Sequence, residues 1–215
     1  MPRYQDVISF GANCQTAYNI ERSAGAAASL PFDWWNTPLF AVGELLESGF
    51  TAVAHRPDLR VSANRATVTN ARLGVFLHHD FPRDARELVL PLTDATVELV
   101  ALKYARRAAV LASILRSDCR KLIVRFDSAD TDNWMKSYIP GIWREASHED
   151  MIQAVLDASA PGSCDFLIVN DHHRPALPET VSGARVFSRG MPAASGQIDW
   201  TGNVPGWAAL LSEIL

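Results

Sequence analysis

K-L-I-V-R-F, residues 121–126, is the stretch on which the fold turns. It is almost wholly apolar, without the alternation of a strand that has one wet face, and so reads as a strand covered on both faces. D-F-L-I-V (165–169) has the same character. Between them, H-E-D-M-I-Q-A-V-L-D (148–157) has apolar residues at helical spacing, with Ser147 placed to cap it and Asp150 at its third position. Strand, helix, strand of this kind builds a parallel sheet. Working outward, D-V-I-S-F (6–10) reads as a strand leading into a helix over 15–23, and residues 38–47 as a helix with Pro38 near its start. Residues 67–69 and 73–77 read as strands, and 92–116 as the longest helix, with Leu99, Leu102, Val110, Leu111, Ile114 and Leu115 as its apolar positions. A last strand is expected at 184–187 and a terminal helix at 205–215. The expectation is a single α/β domain over 1–215, a three-layer sandwich with a mainly parallel sheet. The polar segment 128–146, with Trp134, Tyr138, Pro140, Gly141 and Trp143, reads either as a lid or as an ordered loop.

Composition narrows the class. The chain has 215 residues, 48% of them hydrophobic, enough to bury a proper core. The net charge of -4 and the absence of a basic block argue against a nucleic-acid partner. The densest basic group, Lys103, Arg106 and Arg107, has the helical spacing of a solvated face. The apolar run at 108–115 is too short to span a bilayer, and M-P-R-Y-Q-D at the start has no apolar signal region. Three cysteines, widely spaced and without a C-x-x-C pair, argue against a disulfide framework and against zinc. The expectation is a cytoplasmic protein with free thiols that needs no metal or cofactor.

Ligands of open parallel sheets bind beyond the carboxyl ends of the strands. Gly11, Ala12, Asn13 and Cys14 follow the first strand; His78, His79 and Asp80 follow 73–77; Asp127 follows 121–126; Asn170, Asp171, His172 and His173 follow 165–169; Ser188 and Arg189 follow 184–187. Parallel strands would deliver all of these to one edge. Cys14 then stands at a helix N-terminus, where free backbone N–H groups and the helix dipole favour thiolate, the nucleophilic form. The backbone N–H of Cys14 or Gln15 and the side-chain amide of Asn13 would hold an oxyanion, and Gly11 would permit a sharp turn and a close approach of substrate. The bland alternative makes Cys14 a packed apolar residue and Asn13 a helix cap. Cys119 and Cys164 read as core residues.

A cysteine nucleophile needs a base, usually His. His78, His79, His172 and His173 are open candidates, while His55 and His148 read as loop and helix-start residues. If the chain stays extended through Asp80, His79 faces away from it, and Asn170, Asp171 or Asp199 would orient the base better. In S-L-P-F-D-W-W-N-T-P-L-F (29–40), Asp33 and Trp34 would wall a pocket or plug an aromatic core. D-W-T-G-N-V-P-G-W (199–207) reads as a turn into the last helix, with Asp199 as a second acid candidate.

I-S-F-G-A-N-C-Q-T-A-Y (8–18), L-P-F-D-W-W-N-T-P-L (30–39), L-H-H-D-F (77–81) and L-I-V-R-F (122–126) together resemble a bacterial family described as papain-like cysteine peptidases. The resemblance implies Cys14 as nucleophile and His79, the histidine before Asp-Phe, as base. It also marks Asp33, Trp34 and Arg125 as motif residues. The layout itself, with the cysteine at a strand-to-helix exit, is more similar to SGNH hydrolases or a Rossmann-like sheet than to papain. The SGNH D-x-x-H signature is absent, since Asp199 is followed by Trp200, Thr201 and Gly202.

The expected function is a cysteine-dependent hydrolase (peptidase, amidase or esterase) or acyl transferase acting on a peptide or small molecule. Cys14 would attack, His79 would move the proton, Asp171 or Asp33 would orient it, and Arg125 or Arg189 would bind a substrate carboxylate or phosphate bidentately. The alternative is a non-catalytic module binding a nucleotide, sugar phosphate or carboxylate at the Gly-x-Asn-Cys turn. A third reading uses 29–40 and 128–143 as an aromatic docking face. The oligomeric state is left open.

Overall fold

The computed structural model describes residues 3–25, 29–139, 141–170, 177–192 and 199–215. Eight strands and six helices are described: β1 (Asp6–Ser9), α1 (Cys14–Ala24), α2 (Ala41–Glu47), β2 (Leu59–Val61), β3 (Val68–Asn70), β4 (Val75–Phe76), α3 (Asp94–Arg116), β5 (Lys121–Asp127), α4 (Ala129–Tyr138), α5 (His148–Asp157), β6 (Cys164–Asn170), β7 (Thr180–Val181), β8 (Ala184–Gly190) and α6 (Val204–Ile214). The main sheet has the order β1-β5-β6-β8-β7. Its first four strands are parallel, and only the short β7 runs against β8.

The expected central strand is β5, and the sheet explains its composition. Ile123 of β5 with Phe166 and Ile168 of β6 faces a large apolar cluster that takes in α2, α3 and α5. Leu122 and Val124 with Leu167 and Val169 face a second cluster formed by Ile20 of α1 and Trp207, Leu210, Leu211 and Ile214 of α6. Apolar residues on successive positions are needed because helices cover both faces. At the start of α5, Ser147 accepts from the Asp150 N–H and the Asp150 carboxylate accepts from the Ser147 N–H, the reciprocal cap read from the sequence.

Three expectations change. β4 does not join the main sheet; it belongs to a separate antiparallel sheet β2-β3-β4. The segment 128–146 contains a helix, α4, capped by the Ser128 hydroxyl, with Met135 buried. The buried face of α3 is Val97, Val100, Tyr104, Ala108, Leu111 and Leu115, whereas Leu99, Leu102 and Val110 are exposed. The helical period was legible, but its phase depends on Tyr104, whose hydroxyl reaches the carboxylate of Asp80 at 2.7 Å and can therefore be buried. Cys164 is a core residue as expected, whereas Cys119 is exposed.

Candidate active site

β1, β5, β6 and β8 end at one edge, and the exit of β1 is drawn into it by its neighbour. The Phe126 N–H donates to the Gly11 carbonyl at 2.8 Å, and the Ala12 N–H to the Phe126 carbonyl at 2.9 Å. Gly11 has φ +82°, a backbone region that favours glycine, as the sharp turn required. The Thr16 hydroxyl closes the turn by donating to the Gly11 carbonyl at 2.8 Å. Asn13 caps α1: its Oδ1 accepts from the Gln15 N–H at 3.1 Å, while its Nδ2 donates to Thr131 Oγ1 of α4 at 3.4 Å. The Gln15 amide is thus shared with a cap, which leaves the Cys14 N–H and the second Asn13 amide hydrogen as the better oxyanion donors. The Gln15 side chain lies against Gly202, where a Cβ would come within 2.5 Å of its Oε1.

Cys14 is half-buried and lines a cleft of about 350 Å³ with Asn13, Gln15, Asn36, Asp130, Thr131, Trp134 and Trp200. Burial pushes its thiol above the ordinary range, while its own N–H and that of Gln15 pull it down. Burial wins, so the helix N-terminus does not make a standing thiolate in this state, contrary to the sequence expectation.

No histidine is among the described residues lining that cleft. His79 follows β4 in a turn, exposed, with its ring edge-on to Trp34 at 6.2 Å and 4.8 Å from that of His78. Extension ends before Asp80, so the alternation argument for His79 does not apply. Asp80 is unsuited to orient His79 for another reason: it accepts from Trp35 Nε1, Lys103 Nζ and the Tyr104 hydroxyl. The cover His79 has, with the charges of Arg83 and Lys103, holds its imidazole below its ordinary value against the pull of Asp80. Asp171, His172 and His173 lie outside the described residues.

Asp33 and Trp34 line a different cavity, of about 210 Å³, with Ser9, Ala17 and Glu21. The Asp33 carboxylate accepts from the Leu30 N–H at 2.6 Å. Burial pushes its pKa up to about 6, opposed by the Leu30 N–H and the charge of Arg107 and reinforced by Glu21. A folded value above the unfolded 3.8 means that folding favours the protonated acid. The stabilisation is complete below about pH 4 and is lost as pH rises through about 6, a swing of about 3 kcal/mol. Asp33→Asn is expected to remove that slope and to raise the urea midpoint at pH 8. An unchanged pH–stability curve would refute the assignment.

Arg125 does not reach substrate space. It is fully buried, and its guanidinium donates to the Phe10 carbonyl at 2.8 Å, the Thr37 carbonyl at 3.1 Å and Asp127 Oδ1 at 2.9 Å. It is a clamp that fixes the β1 exit against the 36–37 segment. Arg189 pairs with Glu213 of α6 at 2.9 Å. The sequence reading missed a pair at this edge: His148 Nε2 meets Asp127 Oδ2 at 2.5 Å. Asp127 stood among the strand exits, and the signal was a buried-strand carboxylate with a histidine at the start of α5, the helix that leads into β6. Asp127 lines a small cavity with Asp132 and Lys136 of α4, whereas Asp130, Thr131 and Trp134 of the same helix line the thiol cleft. The cleft residues Asn36, Asp130, Thr131, Trp134 and Trp200 were also missed as a group, since they come from three distant segments.

A family model described as "putative papain-like cysteine peptidase" (DUF1796) matches residues 5–132. The chain belongs to this family. The matched span runs from β1 through the first turn of α4 and so includes Cys14, Asp33, Trp34, His79 and Arg125. No curated protein and no solved structure matches the chain. Among the described residues, no helix is long and apolar enough to cross a membrane, and no group of His, Cys, Asp and Glu is arranged to hold a metal.

Proposed function

We propose that the protein is a cysteine-dependent hydrolase or acyl transferase in which Cys14 is the nucleophile. The observation that carries this is a thiol at a helix N-terminus, at the carboxyl end of the first strand of a parallel sheet, opening into a cleft. The family description supports the same chemistry. The Cys14 sulfur attacks the carbonyl carbon of an amide or ester, and its proton passes to a base. The oxyanion is held by the Cys14 N–H and the Asn13 amide. The C–N or C–O bond then breaks, the leaving group takes the proton, and water (or an acceptor amine or alcohol) resolves the thioester. A nucleophile directly after the first strand is the feature shared with SGNH-like or Rossmann-like sheets, although β1 is an edge strand here, paired with β5 alone.

His79 is the proposed base. Its ring lies edge-on to Trp34 and His78, and its lowered pKa keeps it in the proton-accepting form at neutral pH. Phe76, three residues earlier, packs tilted against Trp134 of the cleft at 4.8 Å and bridges to the cleft residue Asn36, which supports His79 as the base. The test is the pH profile of Cys14 acylation by p-nitrophenyl acetate. With His79 acting, the rate levels off near or below the ordinary imidazole pKa. In His79→Ala it should climb steadily toward a thiol midpoint above about 8.5. Identical profiles would remove His79 from the mechanism, and no acylation at Cys14 would end the reading as a whole. The anion-binding alternative is weakened by the cleft itself, whose charged side chain among the described lining residues is Asp130.

A further inference from the structure

Two tryptophans make the Cys14 cleft unusual. Trp134 of α4 is 40% exposed and Trp200, in the turn before α6, is 55% exposed, yet both line the same cavity as the thiol. Neither ring is loose. Trp134 is braced by Phe76 at 4.8 Å and by Tyr138 at 5.0 Å. Trp200 is braced edge-on by Tyr18 of α1 at 5.1 Å, and its turn is tied to the same helix by Asn19, whose side-chain amide donates to the Thr201 carbonyl at 2.9 Å. Rigid aromatic surface left in water is costly, and it is recovered when a flat apolar group covers it. The charge pattern restricts that group further. Asp130 is the charged side chain of the described lining, with no Lys, Arg or His to meet an anion. The volume of about 350 Å³ has room for one aromatic side chain together with the carbonyl that Cys14 would attack.

We infer that the cleft selects an acyl donor bearing a flat aromatic side chain and no negative charge, held between Trp134 and Trp200 with its carbonyl at Cys14. This rests on the reading of Cys14 as nucleophile for its covalent step but not for its binding step, and the two are tested apart. The first measurement compares the rates at which the N-acetyl chloromethyl ketones of phenylalanine, alanine and glutamate label Cys14. In each case an S–C bond forms, the C–Cl bond breaks, chloride leaves and the thiol proton goes to solvent. The phenylalanine reagent is expected to react faster than the other two by about tenfold, the worth of one or two aromatic contacts. That ratio, in which any change in the thiol's own reactivity cancels, should fall toward one in Trp200→Ala and be kept in Trp200→Phe. Equal rates for the three reagents, or a ratio indifferent to Trp200→Ala, would overturn the inference. The second measurement is titration of tryptophan fluorescence in Cys14→Ser with N-acetyl-phenylalaninamide and N-acetyl-alaninamide. Preference for the aromatic amide supports the clamp whether or not Cys14 reacts, and equal binding of the two overturns it. Failure of every reagent to label Cys14, with aromatic preference intact in the titration, would retire the nucleophile and leave the clamp standing.

Discussion

Cys14→Ser is expected to lower turnover of amide and ester substrates by a factor on the order of 10⁴ or more, because removing a nucleophile removes the covalent route rather than weakening it. The hydroxyl occupies the same place at the N-terminus of α1, half-buried beside Asn13 and Thr131, so folding and substrate binding should be retained. Serine is far harder to deprotonate than cysteine. A cleft that already pushes a thiol up offers no environment to activate an alcohol. The measurement is release of p-nitrophenol from acyl esters and of aminocoumarin from peptidyl coumarins by the wild type and the variant, with the circular dichroism spectrum as a check on folding. Retained turnover in Cys14→Ser would make the cysteine incidental and send the search for function to ligand binding at the same turn.

Arg125→Met is expected to cost about 3–5 kcal/mol of unfolding free energy, read as a lower urea midpoint with little change in slope. The loss is not one ion pair. The guanidinium satisfies the Phe10 and Thr37 carbonyls and the Asp127 carboxylate, which is itself 2% exposed and bound to His148. Methionine fills the space and leaves these acceptors buried without their donor. Arg125→Lys is expected to recover little, because one ammonium cannot meet three acceptors in the guanidinium plane. Since Phe10 and Thr37 flank the Gly11 turn and the Asn36 wall of the cleft, the variant should also slow Cys14 labelling by the phenylalanine chloromethyl ketone. A change below about 1 kcal/mol would show that water replaces the clamp.

Arg125 also shows where sequence reasoning stops. A lone arginine in an apolar strand suggests a partner for a substrate carboxylate or phosphate, and the residue type fits that chemistry. What it binds was decided by carbonyls 115 and 88 residues away in the chain, which no local pattern announces. The same limit applies to Asp127 and His148, each noted at the end or start of an element but paired only across the space between β5 and α5. It applies to β4 as well. Five residues with strand character fix neither which sheet they join nor whether their exit reaches the common edge.

What the amino-acid order determined by itself is local or repetitive. The two-sided apolar runs of β5 and β6 could only be central strands, the Ser147–Asp150 box could only start a helix, and Gly11-x-Asn13 could only turn a strand into the capped start of α1. Each of these is settled within a few residues by backbone conformation, capping or the demand for burial. The tertiary structure alone decided the phase of α3, the existence of α4, the burial of Arg125 and the presence of Trp134 and Trp200 in the lining of the Cys14 cleft. Those outcomes depend on which distant groups offer a polar side chain a partner or an aromatic ring a surface, and that information is absent until the chain has closed on itself.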